Sequence, residues 1–307
     1  MKRLLTVLIF ALCPFFLWAQ GDFNYITPTA NGLCAIASSE GSVLVYTLEG
    51  SYHKEIHVSD KAVNAVAYFA DMIFCGCDDG LMAAITKDDR VMELRLPKKE
   101  DVTCMTLFKD KLIAAGDKGV LVTINQDLSV LPASTKAKGR FVGIAAMPNE
   151  CFALTDNGEL LRSRDGASWT LFDFNTYYKG FYPVISFSTI QSSGSQLIAA
   201  GTKSDGSPAA FMSNTGGVWS ERLLVYQASD GRQSMLDAAP LSCGYDAYRD
   251  RFVLGCKGGV IFTIPGCSHC NRLYPVADDD VLGIYLYGPD SFIVGRNSLI
   301  TVDAVIE

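Results

Sequence analysis

The chain has 307 residues, of which 49% are hydrophobic and 19% charged, a balance typical of a folded protein rather than a disordered one. Its formal net charge is −7 and no basic stripe runs through it, which argues against nucleic-acid binding. Beyond the first 20 residues no apolar stretch reaches the length of about 18 residues that a membrane-spanning helix requires.

The N-terminal residues 1–20 have the pattern of a secretory signal peptide. Met1–Arg3 is basic, an apolar stretch follows, and Ala19 is a small residue suited to cleavage. We therefore predict that residues 1–20 are removed, that residues 21–307 form a single domain, and that the protein is secreted or periplasmic. Lipid anchoring through Cys13 is the less favoured alternative, because leucine is a poor residue directly before a lipidated cysteine.

A pattern of about 40 residues repeats along the rest of the chain. A turn glycine recurs at one constant interval in the first four units, and two later copies of the turn are separated by the same interval. The turn positions are Gly41, Gly80, Gly119, Gly158, Gly259 and Ser298. Each unit holds four short apolar runs, with the turn between the second and the third. Four short strands in a unit of about 40 residues predict one blade of a β-propeller.

Counting the units gives the number of blades. They begin near residues 24, 63, 102, 141, 184, 238 and 281. We therefore predict an all-β fold, a seven-bladed β-propeller with four antiparallel strands per blade. The seventh unit, from 281 to 307, is shorter than the others, which predicts a last blade of three strands. Asn24 aligns with Val63 at the start of an innermost strand, so the first strand is expected in the first blade and not in the last.

Three insertions interrupt the repeat between the fourth and sixth units. They are predicted at residues 175–183, 203–208 and 227–240. In a propeller the linkers between blades and the turns between second and third strands share one face, so all three are expected on the same face. Long loops on a rigid scaffold commonly carry binding residues, and this face is the predicted binding face.

Aromatic side chains are concentrated in the first insertion. They are Tyr177, Tyr178, Phe181 and Tyr182. Such rings offer rigid contact surface to a sugar or a protein, although the alternative for any one of them is to cover the core. The polar candidates in the other two insertions are Asp205, Asp230 and Arg232. The run Asp278–Asp280 is expected on the same face and is more typical of a solvated turn than of a cation site. No metal, cofactor or catalytic residue is predicted.

Two segments share a motif that contains the only tryptophans after residue 20. They are Ser163-Arg164-Asp165-Gly166-Ala167-Ser168-Trp169-Thr170 and Ser213-Asn214-Thr215-Gly216-Gly217-Val218-Trp219-Ser220. The first resembles the Asp box of the bacterial neuraminidase repeat, and the second resembles a degraded copy. The resemblance implies a structural hairpin between third and fourth strands, whose tryptophan packs between adjacent blades. It assigns structural roles to Ser163, Asp165, Gly166, Trp169, Ser213, Gly216 and Trp219.

The longer stretch from Cys151 to Thr170 is similar to the repeat of photosystem II stability/assembly-factor-like propellers. This similarity implies a propeller fold and a role in binding or assembly. Sialidases also carry Asp boxes, but they need an Arg-Ile-Pro motif near the N-terminus. No such motif occurs here, and the first arginine after Arg3 is Arg90, so sialidase activity is not expected.

Nine cysteines follow the signal segment, and the sequence does not assign their pairing. They are Cys34, Cys75, Cys77, Cys104, Cys151, Cys243, Cys256, Cys267 and Cys270. Cys267 and Cys270 have the CxxC spacing of redox sites, but a β-hairpin lacks the helix that such sites use, so a local disulfide or two free thiols are expected. The pairs Cys34/Cys151 and Cys77/Cys256 occupy equivalent positions in different blades, which predicts small buried packing residues.

Two functions follow from these observations. The first is a monomeric, secreted or periplasmic, non-catalytic propeller that binds a protein or a glycan through the long loops of blades 4–6. The alternative is a glycosidase or lyase, with carboxylates such as Asp205, Asp230 and the run Asp278–Asp280 facing each other across the axial pocket. No carboxylate pair can be recognised in the sequence, which favours the first function.

Overall fold

The structure, a computed structural model, describes residues 21–96, 98–228, 230–265 and 271–302. The predicted signal peptide, Cys267 and Cys270 therefore lie outside the described residues. Nearly all regular structure is β, arranged as seven sheets around a ring, with four antiparallel strands in each of the first six and three in the last. The predicted seven-bladed propeller with a three-stranded final blade is confirmed. No helix in the described part of the chain is long and apolar enough to span a membrane.

Within each blade the strands are ordered along the chain from the innermost, next to the central axis, to the outermost. Blade 1 holds β1 (Phe23–Pro28), β2 (Leu33–Ser38), β3 (Ser42–Thr47) and β4 (Tyr52–His57), and blade 2 holds β5 (Val63–Phe69), β6 (Met72–Cys77), β7 (Leu81–Ile85) and β8 (Val91–Arg95). Blade 3 holds β9 (Val102–Phe108), β10 (Lys111–Gly116), β11 (Leu121–Ile124) and β12 (Val130–Pro132), and blade 4 holds β13 (Phe141–Ala146), β14 (Cys151–Thr155), β15 (Glu159–Ser163) and β16 (Thr170–Asp173).

The second half of the ring carries the insertions. After blade 4 comes the short helix α1 (Phe174–Tyr177), and then blade 5 with β17 (Ile185–Ser192), β18 (Leu197–Lys203), β19 (Pro208–Ser213) and β20 (Ser220–Glu221). A separate hairpin, β21 (Val225–Gln227) and β22 (Gln233–Met235), precedes blade 6, which holds β23 (Pro240–Asp246), β24 (Arg251–Cys256), β25 (Val260–Pro265) and β26 (Arg272–Pro275). Blade 7 holds β27 (Val281–Tyr287), β28 (Asp290–Gly295) and β29 (Ile300–Val302), and single 3-10 turns lie at Ala30–Gly32 and Asp117–Gly119.

The hydrophobic core is divided among the interfaces between blades. Each buried cluster of the described residues joins two neighbouring blades, and together the clusters account for all seven interfaces. Phe74 of blade 2, for example, packs in one cluster with Met105 of blade 3. Because both faces of a central blade are covered by its neighbours, the inner strands read as continuous apolar runs instead of alternating ones.

The turn glycines serve two purposes at once. Gly41 has φ +80°, and its counterparts also lie in the left-handed region that glycine adopts without strain. A Cβ atom on Gly41 would overlap the carbonyl oxygen of Ser59, and one on Gly259 would overlap that of Ala277. Both carbonyls lie in the linker to the next blade, at the same separation in sequence from their glycine. In both blades the linker backbone therefore passes so close to the turn that only glycine, which has no Cβ atom, fits at this position. The constant spacing of the turn glycines reflects this contact.

Every innermost strand has a β-bulge near its start. The register shifts by one residue after the third pair in blade 5 and after the first pair in the other six blades, as between Phe23 and Tyr25 in blade 1. In four blades a polar side chain at or directly after the bulge donates a hydrogen bond to the next blade. The acceptor is the carbonyl oxygen of the first residue of that blade's innermost strand. The donors are Asn24 to Val63 (2.9 Å), Thr103 to Phe141 (2.6 Å), Ser188 to Pro240 (2.6 Å) and Ser242 to Val281 (3.0 Å). The bulge thus connects neighbouring blades.

Blades 7 and 1 close the ring by side-by-side packing. The backbone N–H of Ser298 donates to the carbonyl oxygen of Gly21 at 2.8 Å, and the hydroxyl of Tyr287 donates to the carbonyl oxygen of Leu48 at 2.5 Å. Phe292 of blade 7 is fully buried in the cluster that this pair of blades shares. In the described chain, β1 is the innermost strand of blade 1 and no strand belongs to both blades, which agrees with the predicted register.

Candidate functional site

The aromatic insertion folds against the outer edges of blades 4 and 5. It begins at α1, where the carboxylate of Asp173 accepts a hydrogen bond from the backbone N–H of Thr176 at 2.9 Å and caps the helix. Phe174 points inwards and its ring centroid lies 5.1 Å from that of Phe187 and 4.9 Å from that of Phe211. The ring of Phe174 therefore fixes the insertion to the core of blade 5.

Tyr178 and Tyr182 attach the insertion to the outermost strand of blade 5. The hydroxyl of Tyr178 accepts a hydrogen bond from the backbone N–H of Trp219 at 2.8 Å, and that of Tyr182 accepts one from Glu221 at 3.4 Å. These N–H groups lie at the sheet edge, where a further strand would otherwise supply acceptors. Both tyrosines are half-buried in the cluster between blades 4 and 5, so they support the insertion.

Tyr177 and Phe181 instead face the solvent. Tyr177 is 65% exposed and Phe181 is 82% exposed, although side chains of this size are mostly buried in folded proteins. Most of the exposed large hydrophobic side chains of the described chain fall between residues 171 and 235. In that segment they are Leu171, Tyr177, Phe181, Val184, Val218, Leu223 and Met235. Sequence reasoning missed all but the two aromatic residues, because an aliphatic residue gives no sign of its exposure in the local sequence.

The polar candidates shape their own turns. The carboxylate of Asp205 accepts hydrogen bonds from the backbone N–H and the hydroxyl of Ser207, at 2.9 and 2.6 Å, and these bonds lower the pKa of Asp205. Asp230 accepts the backbone N–H of Arg232 at 3.0 Å and pairs with its guanidinium at 3.3 Å. No hydrogen bond or ion pair of the described residues joins these three candidates to the aromatic insertion.

The third insertion differs from its predicted form. The sequence predicts a long loop at residues 227–240, whereas the structure has a hairpin that begins at Val225 and turns at Asp230 and Gly231. Asn271 anchors the hairpin, because its side-chain amide donates to the carbonyl oxygens of Leu223 and Val225 at 3.0 and 2.8 Å. The hairpin therefore lies beside the outermost strand of blade 6, where its pairing could not be read from the local sequence.

The acidic run Asp278–Asp280 connects blades 6 and 7. Asp280 accepts the backbone N–H of Gly258 at 2.9 Å and pairs with Arg296 at 3.0 Å. Asp279 accepts a hydrogen bond from the side chain of Asn297 at 2.7 Å. Among the described residues no group of three or more histidine, cysteine or acidic side chains is arranged to hold a metal ion.

The turn at residues 163–170 is held by its own side chains. The hydroxyl of Ser163 accepts the backbone N–H of Gly166 at 2.9 Å, and the carboxylate of Asp165 accepts those of Ala167 and Ser168, both at 2.8 Å. The N–H donors of Ser168 and Ala167, together with the Ser163 hydroxyl, lower the pKa of Asp165 to about 2. The indole of Trp169 donates to the carbonyl oxygen of Gly166 at 3.2 Å.

The turn at residues 213–220 repeats this arrangement with one change. The hydroxyl of Ser213 accepts the backbone N–H of Gly216 at 2.9 Å, and the indole of Trp219 donates to the carbonyl oxygen of Gly216 at 3.1 Å. Thr215 stands where the first turn has its aspartate, and its hydroxyl accepts the backbone N–H of Gly217 at 3.3 Å. Trp219 is buried between blades 4 and 5. The two turns thus share the serine and tryptophan hydrogen bonds and differ at the third position, where Asp165 accepts two backbone N–H groups and Thr215 accepts one.

An axial channel with a volume of about 350 Å³ runs between the innermost strands. The residues of the described chain that line this channel are largely polar and include Asn24, Asn64, Thr103 and Gln191. Arg140 is the one charged residue in that lining, which includes no aspartate or glutamate. A retaining or inverting glycosidase needs two carboxylates about 5–10 Å apart, so this channel lacks the arrangement expected for the enzyme alternative.

The described cysteines are not in disulfides, and six of the seven are buried. Cys34, Cys77, Cys151 and Cys256 are fully buried, in agreement with the packing role inferred from their equivalent positions. Burial raises the pKa values of these four thiols to about 12. Their thiolate forms, which are the reactive ones, are therefore almost absent at neutral pH.

Comparison with known proteins supports the fold alone. No family model and no curated protein matches the sequence. Among solved structures, the WD40 domain of Pan2 from Neurospora crassa is similar with a TM-score of 0.71 and 9% identity, over 94% of this chain and 91% of that chain. The computationally designed protein Ika8 is similar with a TM-score of 0.62 and 12% identity, over 93% of this chain and 97% of that chain. These similarities agree with the seven-bladed β-propeller fold of this chain.

Proposed function

We propose that this propeller is a secreted or periplasmic, non-catalytic binding protein, and that Tyr177 and Phe181 contact its partner at the rim between blades 4 and 5. The observation that carries the proposal is the exposure of these two rings on an insertion whose other aromatic residues are anchored. A rigid base lowers the entropy lost on binding, and exposed aromatic rings are the usual centres of binding energy.

The surroundings of the two rings favour a protein partner over a glycan. Val184, Leu223 and Met235 are also exposed on this segment of the chain, and aliphatic side chains suit a protein surface. A glycan site would combine ring faces with convergent polar groups, whereas Asp205 and Asp230 are engaged by their own turns. WD40-like propellers commonly act as protein-interaction scaffolds, which agrees with this choice.

The test combines a double substitution with a matched control. Tyr177→Ala with Phe181→Ala removes both exposed rings, and Tyr52→Ala with Tyr248→Ala removes two exposed rings on blades 1 and 6. The mature proteins are cross-linked in an extract of their own cell envelope, and the captured proteins are identified by mass spectrometry. We expect the first pair to lose a partner that the wild type and the control pair retain.

Two results would contradict the proposal. One is the same set of captured proteins from the wild type and from the Tyr177/Phe181 variant, with urea midpoints that show both to be folded. The other is binding to a glycan array that depends on these rings, which would replace the protein partner by a sugar. Secretion is tested separately by N-terminal sequencing of the envelope or medium fraction, where a first residue near position 20 is expected.

We also propose that the two tryptophan turns are Asp boxes, the second with threonine in place of aspartate. Their shared pattern of serine, glycine and tryptophan hydrogen bonds supports this proposal. If it is correct, Thr215→Asp should restore a carboxylate acceptor and raise the urea midpoint, since the corresponding Asp165 binds two backbone N–H groups. A lower midpoint would show that the second turn has a different geometric requirement.

A further inference from the structure

A second cavity lies on the face opposite the linkers, between blades 4 and 5. Its volume is about 510 Å³, within the range of small-molecule sites. The loops around it join first to second strands and third to fourth strands, so it is remote along each blade from the predicted binding face. Its polar lining is Asn149, Glu150, Arg162, Arg164, Asn214 and Thr215.

Glu150 holds two arginines at the edge of this cavity. One terminal nitrogen of Arg162 lies 2.5 and 2.6 Å from the two carboxylate oxygens of Glu150, and Nε of Arg164 lies 2.9 Å from one of them. Although burial alone would raise the pKa of Glu150, the hydrogen bonds from both arginines lower it, so the carboxylate stays charged. The guanidinium of Arg162 also lies over the ring of Phe152, 5.9 Å from its centroid.

These contacts leave both guanidinium groups with unused donors. Arginine carries five N–H donors, and the contacts to Glu150 employ one nitrogen of each residue. Arg164 is 81% exposed, and together with Arg162 it also lines an adjoining cavity of about 340 Å³. One carboxylate between two arginines leaves a local charge of +1, in a protein whose overall charge is −7.

Two lysines increase the positive charge next to Arg164. The ammonium of Lys109 donates to the carbonyl oxygen of Arg164 at 2.7 Å, and that of Lys111 donates to the carbonyl oxygen of Asp165 at 3.1 Å. Neither ammonium forms an ion pair with a carboxylate in the described chain, although Asp110 lies between them in sequence. The carboxylate of Asp165 lines the adjoining cavity and is charged, so it offsets one of these lysines. The remaining positive charge adds to that of the arginines and attracts an anion from solution.

We propose that this cavity binds the oxyanion of a small acidic ligand, such as the carboxylate of a sugar acid, through the free donors of Arg162 and Arg164. The fork of a guanidinium matches a carboxylate, sulfate or phosphate group through paired hydrogen bonds. Glu150 acts as a positioning residue, since it orients both arginines without occupying all of their donors. The proposal does not depend on Tyr177 and Phe181, which lie at the rim of the ring.

The test measures binding by calorimetry in low salt with four probes. Glucuronate is compared with glucose, its uncharged counterpart, and sodium sulfate and sodium acetate test whether the anion alone is sufficient. We expect glucuronate to bind and glucose not to bind. Arg164→Ala and Arg162→Gln should each weaken glucuronate binding about tenfold or more, the usual effect of losing a charged hydrogen bond. Added sodium chloride should also weaken it, because the site is partly exposed.

Arg95→Ala is the matched control. Arg95 is also an exposed arginine paired with one glutamate, Glu93 at 3.1 Å, but it lies on blade 2. Its substitution should leave glucuronate binding unchanged. Binding of sulfate but not of glucuronate would support the oxyanion and exclude the sugar acid. Equal binding by the wild type and a folded Arg164→Ala variant, or no anion binding by the wild type, would overturn the proposal and leave the two arginines with a structural role only.

Discussion

The stability of a Gly41→Ala variant tests whether the turn glycines are required by the contact between each turn and the linker to the next blade. Gly41→Ala introduces two costs. The first is the left-handed backbone, φ +80°, which costs a residue with a Cβ atom about 1–2 kcal/mol. The second is the overlap with the carbonyl oxygen of Ser59, which forces the linker to move. The carbonyl oxygen of Gly41 accepts the N–H groups of Val58 and Ser59 at 2.9 and 3.1 Å, so the movement also weakens two hydrogen bonds of about 1 kcal/mol each.

Gly206→Ala separates these two costs. Gly206 has φ +86°, close to that of Gly41, but a Cβ atom there meets no other atom within 4 Å. We expect Gly206→Ala to lower the free energy of unfolding by about 1–2 kcal/mol and Gly41→Ala to lower it by about 3–4 kcal/mol. Urea titrations followed by tryptophan fluorescence measure both. If both variants lose the same free energy of unfolding, the contact with the linker contributes nothing and the left-handed backbone alone explains why glycine is required at position 41.

Three further outcomes are expected. Tyr178→Phe leaves the N–H of Trp219 without its acceptor and should lower the free energy of unfolding by about 1 kcal/mol, measured by urea titration. The pKa of Asp165 is about 2 in the folded protein against an ordinary 3.8, so its stabilising effect is complete above the ordinary pKa and is lost as the pH falls towards 2. The urea midpoints of the wild type and Asp165→Asn should therefore converge between about pH 5 and pH 2.5. Iodoacetamide at pH 8 should label Cys34 and Cys151 only after unfolding, and mass spectrometry of the native protein detects any exception.

The fold could be predicted because it repeats. A glycine that recurs at a constant interval reports a local backbone requirement, and the number of repeats gives the number of blades. The anchoring of Tyr178 could not be predicted in this way, because it depends on β20 being only two residues long. The contact between Glu150 and Arg164 could have been found from sequence, since pairing Cys151 with Ser163 across the β14–β15 hairpin places the two flanking residues opposite each other.

The β-bulge connections have a dynamic consequence, because they are unequally distributed around the ring. Asn64 donates to Asp78 of its own blade. In blade 6 the bulged residue is Leu241 and the donor is the next residue, Ser242, whereas blades 4 and 7 have no side-chain donor at either position, since Val142 and Leu282 are followed by glycines. Among the described residues, the interfaces after blades 2, 4 and 7 therefore lack, at the level of the bulge, the side-chain hydrogen bond that spans the other four. Local opening requires the least free energy where the fewest such contacts must break. Amide hydrogen exchange at the level of the bulge should accordingly be faster in blades 3, 5 and 1, which follow these three interfaces, than in blades 2, 4, 6 and 7.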